Sequence, residues 1–302
     1  MWFLSCRTDL VGGEVRPVKV TDGNLTYLDY GAFLNDVHGR HVLIGIHGFN
    51  VHQAGAVEHF ENWNTLLNLG SSAVFVGALW PGDSAWLAAL EYPFAAKAAM
   101  QSGDSLAAFI NANLQGAISV SFVSHSLGAR VALRTIQGLS GNPPVRRLIL
   151  MAAAVDDDCL TDEFASAAKK VPDISLLTSH KDEVLKLAFP LGNPLSGIFA
   201  RGHPYWHAAL GREGPTAYPT PNNVHAGWEL PDSWNVGHGD YLPPSKPFPA
   251  GYNPAPYSAP VDIPAPSAPA PAQGTPPVFD VGGAWANWQS AWTAALTSSR
   301  FR

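Results

Sequence analysis

Ser126 stands in the run Ser124-His-Ser-Leu-Gly128. An apolar, β-prone stretch (118–123) precedes it, and helix-prone residues Ala129, Val131, Ala132, Leu133 and Ile136 follow at once. A strand that becomes a helix within a few residues must turn sharply, which strains the residue at the tip and pushes its side chain out of the sheet. Small residues are needed two positions to either side; Gly128 meets that need, and Ser124 replaces the first Gly of G-x-S-x-G. Ser126 is therefore read as a nucleophile. A serine hydroxyl that attacks a carbonyl needs a base for its proton, an anion to orient the base, and donors for the oxyanion. Downstream acids are Asp182, in His180-Lys-Asp-Glu-Val-Leu185, and the run Asp156-Asp157-Asp158. Beyond them come His203, His207, His225 and His238, the last flanked by Gly237 and Gly239. The order is Ser, then acid, then His.

The elements that would carry these residues are visible as apolar runs. His41–His47 and Ser72–Trp80 read as buried strands, as do 117–123, Arg147–Val155 and Asp173–His180. Helical segments are expected at Ala56–Leu69, through 84–115 with breaks near Pro93 and Gly103, and at Thr161–Lys170. Earlier, Val15–Val20 and Leu25–Tyr30 suggest two strands, and Asn223–Leu230 suggests a last short one. Alternation from residue 41 to 187 implies βαβ units, hence an α/β fold with a mostly parallel sheet and helices on both faces. The domain is expected over residues 1–242. Residues 243–277 hold half of the 26 prolines and read as an extended linker. Residues 278–302 read as a helix with Trp285, Trp288, Trp292 and Leu296 on one face.

On these motifs the chain resembles the α/β-hydrolase superfamily, over roughly residues 25–245. The resemblance rests on His47-Gly-Phe-Asn50, the elbow around Ser126 and Gly237-His-Gly-Asp-Tyr241, and is nearest a poorly characterised branch. It implies that the backbone N–H groups of Phe49 and Leu127 form the oxyanion hole. It also implies that the acid lies in a loop after a strand beyond the elbow, which favours Asp182, with the Asp156 run one strand earlier as rival. The base falls near the domain's end, which favours His238 over His225. A triad of Ser126, Asp182 and His238 implies a serine esterase, carboxylesterase or lipase-like, working through an acyl-enzyme without metal or organic cofactor. Its expected substrate is a small-molecule or lipid-like ester. An acyltransferase or thioesterase would use the same triad, and a binding or scaffold protein would keep only the fold.

Composition agrees with a large core: hydrophobic residues make up 46% and charged residues 14%. A net charge of -6 without basic clusters argues against nucleic acid as a partner. No run is long enough for a membrane span. The apolar Met1-Trp-Phe-Leu4 meets Arg7 too soon for a secretory signal, which tilts the expectation toward the cytoplasm. Two cysteines make no disulfide framework. His203 and His207 have helical metal-ligand spacing, but Pro204 between them and the missing Glu of H-E-x-x-H argue against zinc. Phe189, Ile198, Phe199, Tyr205 and Trp206, with Trp80 and Trp86 opposite, are expected to line an apolar pocket. The Trp-bearing C-terminal segment is expected to serve self-association or surface attachment.

Overall fold

A computed structural model of the chain describes residues 1–7, 13–21, 24–27, 30–67, 69, 71–83, 92–187, 189, 207–215, 220–224, 229–230, 232 and 235–241. The expected linker and C-terminal helix lie outside these residues, as do His203, His225 and most of the expected pocket wall.

The strands are β1 (Trp2–Ser5), β2 (Arg16–Thr21), β3 (Asn24–Tyr27), β4 (His41–Ile46), β5 (Ala73–Leu79), β6 (Ser119–His125), β7 (Val145–Met151) and β8 (Asp173–Leu177). They form one sheet in the order β3-β2-β1-β5-β4-β6-β7-β8. The five pairings from β1 to β8 are parallel, and only β1–β2 and β2–β3 are antiparallel. Central strands β4, β5 and β6 are buried along nearly their whole length, which is why they read as continuous apolar runs.

Around the sheet lie α1 (Tyr30–Val37), α2 (Gln53–Leu67), α3 (Tyr92–Asn113), α4 (Gly128–Gly138), α5 (Ala165–Lys170) and α6 (Leu210–Glu213), and residues 183–187 are also helical. Side chains alternate along a strand, so neighbours Trp2 and Phe3 report opposite faces. Trp2 meets Phe33 of α1, and Phe3 meets Phe60 of α2. Phe33 also meets Phe109 of α3, so α1 and α3 share a face that α2 does not. Helix α4 packs along α3, and α5 along α4.

This division follows from the winding. From β4 the chain crosses by α2 to β5 on one side, then by α3 to β6 on the other side of β4, and continues to β7 and β8. Right-handed crossovers running in opposite directions put their helices on opposite faces. The direction reverses between β4 and β6, the switch point at which open α/β sheets form a crevice outside the carboxyl ends of their strands.

Several expectations are corrected. Tyr30 begins α1 rather than ending a strand, and β1 had not been read as a strand. Helix α3 is unbroken at Gly103, where a Cβ would come within 2.8 Å of Arg134 Cγ; the glycine admits α4 rather than stopping α3. Pro93 lies in the first turn of α3, where no intrahelical N–H bond is lost. Helix α5 starts at Ala165, after turns from 161 to 164. Of the expected strand at 223–230, residues 225–228 lie outside the described residues, and Val224 and Glu229 form parallel bridges with Ile174 and Thr178.

Candidate active site

The crevice is bounded by the two turns that leave β4 and β6. Ser126 follows β6 directly and adopts φ 53°, a left-handed conformation rare for a residue with a side chain. Such strain costs about 1–3 kcal/mol and persists only where the surroundings enforce it. Here Ser126 N–H donates to the Met151 carbonyl at 3.0 Å, and its own carbonyl accepts from Ala129 and Ala154 N–H, both at 3.1 Å. The end of β7 thus clamps the elbow from one side. Gly128 opens α4 against β4: a Cβ there would run into the His47 carbonyl and lie 2.8 Å from that of Ile46. Ser124 is fully buried, so a small side chain suffices at that position.

The turn after β4 lies against the elbow. A Cβ on Gly48 would sit 3.0 Å from Ser126 Cβ, so a side chain there would press on the elbow. Trp80 donates from Nε1 to the His47 carbonyl at 2.8 Å and stacks on the His47 ring at 5.6 Å. Burial pushes the His47 pKa down to about 4, and its ring donates from Nδ1 to the Gly48 carbonyl at 2.9 Å. Among the described residues, no group accepts a hydrogen bond from Phe49 N–H or Leu127 N–H. Trp80 is fully buried and braces this turn; it is not a pocket wall.

Asp182 and His238 arrive from loops after β8. Asp182 is fully buried; its Oδ2 lies 2.7 Å from His238 Nδ1, and its Oδ1 accepts Leu185 N–H at 2.8 Å. His238 Nε2 lies 2.8 Å from Ser126 Oγ. Because a carboxylate only accepts, Nδ1 carries the proton in neutral His238, and Nε2 is left to accept from the Ser126 hydroxyl. The His238 side chain keeps 16% of its surface accessible, so the middle of the three groups reaches solvent while Ser126 and Asp182 on either side of it are buried. The two loops are joined by Ser179 Oγ, which donates to the Val236 carbonyl at 2.7 Å. Gly237 N–H donates to Asp240 Oδ2 at 2.7 Å and closes the His238 turn, while Tyr241 is buried behind it. Leu185 is buried and anchors the acid loop, whereas Val184 is half exposed.

The rival acids lie beside α6, and the carboxylates of two of them face His207. Asp156 pairs its backbone with Ala209 beside α6, and Asp157 Oδ1 lies 3.1 Å from His207 Nδ1. His207 Nε2 faces Asp158 Oδ2 at 3.7 Å. Candidate ligand atoms of Asp157, Asp158 and His207 all lie within 4.8 Å of one another, a spacing compatible with a cation. The imidazole lies between the two carboxylates, with Nδ1 toward Asp157 and Nε2 toward Asp158. A separate cavity of about 500 Å³ involves Trp2, Lys19, Asp36 and Arg40. It lies at the amino ends of β1 and β5, the sheet edge opposite Ser126.

Residues 28–201 match the family described as an alpha/beta hydrolase of unknown function (DUF900). The chain belongs to this family. The match covers Phe49, Ser126, Leu127 and Asp182 of the alpha/beta hydrolase and ends before His238. No curated protein matches the chain. Among the described residues, no helix of this alpha/beta hydrolase is long and apolar enough to cross a membrane.

Proposed function

We propose that this alpha/beta hydrolase is a serine esterase, carboxylesterase or lipase-like, that cleaves carboxylic esters through an acyl-enzyme on Ser126. The observation that carries the reading is the unbroken line Ser126 Oγ, His238, Asp182, with separations of 2.8 and 2.7 Å. His238 Nε2 takes the hydroxyl proton as Ser126 Oγ attacks the ester carbonyl carbon. Asp182 holds the tautomer and balances the imidazolium that forms. The tetrahedral oxyanion accepts from the N–H groups of Phe49 and Leu127, and each such donor contributes about 10²–10³-fold to the rate. His238 then returns the proton to the departing alcohol, and water releases the acyl group by the same steps.

Low charge and a high aromatic content support apolar esters as substrates. On this reading the Trp-bearing tail serves self-association or attachment rather than chemistry, supported by its sequence pattern. The test is a fluorophosphonate probe applied to the full chain, with the adduct mapped by peptide mass spectrometry. Labelling at Ser126 that disappears in Ser126→Ala is the expected result. A folded protein that takes no label, or takes it elsewhere, overturns the reading.

A further inference from the structure

His125 precedes the nucleophile in sequence, yet its ring reaches a residue 113 positions downstream: Nε2 lies 2.7 Å from the His238 backbone carbonyl oxygen. A carbonyl oxygen can only accept, so Nε2 must carry the proton. We propose that His125 is a positioning residue: its Nε2–H anchors the backbone from which His238 hangs and so fixes His238 against Ser126. The inference rests on the serine-hydrolase reading above.

Several independent features support it. The His125 ring is buried, which holds it neutral and pushes its pKa down to about 3. Neutrality leaves one proton to assign, and the carbonyl assigns it to Nε2. The ring centroid lies 4.8 Å from that of His238 and 6.2 Å from that of Tyr241, so His125 packs on the base loop as well as bonding to it. On its other side, a Cβ at Gly48 would lie 3.0 Å from His125 Nδ1, so the turn that carries Phe49 abuts the same ring. One side chain therefore touches the elbow's partner turn and the base loop, while its own backbone continues into Ser126.

Two further ties on the base loop act on neighbouring residues. Ser179 Oγ holds Val236, and Asp240 holds Gly237, both upstream of His238. The His125 bond acts on the peptide unit of His238 itself. Without it, Nε2 can drift from Oγ, and a displacement near 1 Å costs on the order of 10²-fold in rate.

The test compares the full-length protein with His125→Phe and His125→Gln. Phe keeps the ring's bulk and loses the donor; Gln offers an N–H at similar reach. Matched thermal midpoints establish that all three are folded. His125→Phe is expected to react with the fluorophosphonate about 10–100-fold more slowly at Ser126, and to lower kcat on an ester with KM little changed. His125→Gln is expected to recover most of that loss. A role in packing alone would make the two variants alike, so a Gln variant as slow as Phe, or a Phe variant as fast as the parent, overturns the proposal. Imidazole nitrogen NMR provides a readout that does not depend on activity. The Nε2–H tautomer of His125 supports the anchor, and the Nδ1–H tautomer overturns it. If the parent itself takes no label, the esterase reading fails, and the tautomer alone decides the anchor.

Discussion

Asp182 divides its two oxygens between different tasks, Oδ2 toward His238 and Oδ1 toward Leu185 N–H. Asp182→Asn separates them. The amide oxygen can still accept from Leu185, so the loop should keep its turn. The amide nitrogen would then face His238 Nδ1 as a donor and force the proton onto Nε2, where it can no longer accept from Ser126. The expected outcome is a loss on the order of 10⁴-fold in acylation rate with the urea midpoint near the parent's. Single-turnover kinetics checks it, and an activity within tenfold of the parent would contradict it. The sequence narrowed the acid to Asp182 or the Asp156 run because both follow a buried strand. What separates them is which loop meets residues 235–241, a contact that leaves no local trace. Trp80 was legible as aromatic mass beside a strand end, but the bond to the His47 carbonyl was not, because it joins residues from two strands.

Between β4 and β5, Gly45 and Gly77 pair in register and open a bay in the sheet that Phe60 of α2 fills. A Cβ on Gly77 would lie 2.5 Å from Phe60 Cδ2 and 2.8 Å from Phe3 Cδ1. Both rings are buried and cannot retreat. Gly77→Ala is therefore expected to lower unfolding free energy by about 1–3 kcal/mol through overpacking, measured by urea denaturation; an unchanged midpoint would mean that α2 shifts freely. The parallel strands were readable because burial on both faces removes polar residues from the run. Strand β1 was not, since the short run Trp2–Ser5 gains its meaning only from β2 and β5 on either side. The unbroken α3 has the same lesson: Gly103 looks like a stop until α4 is known to lie against it.

Unfolding of the whole molecule should report its buried histidines. His47 and His125 have pKa values pushed down to about 4 and about 3, foremost by burial. In the unfolded chain both return to about 6.5. Above that value neither state binds the proton, and the stability gained from neutral burial is complete. As pH falls below it, the unfolded chain takes up protons that the folded one refuses. Each histidine then costs about 1.4 kcal/mol per pH unit until its folded value is reached. The thermal midpoint is expected to drop between pH 7 and 5, and to drop less in His47→Gln; equal slopes would contradict this account.

The long reach of the site has a further meaning for how the molecule is made. Ser126 and His238 bond across 112 positions, and Asp182 and His238 across 56. Synthesis runs from the amino terminus, and all eight strands among the described residues are encoded by residue 177. The growing chain therefore owns a sheet, an elbow and an acid well before the ribosome adds the imidazole that would arm them. On the proposed esterase reading, Ser126 is until then an ordinary alcohol, and birth order itself keeps the nascent protein chemically silent.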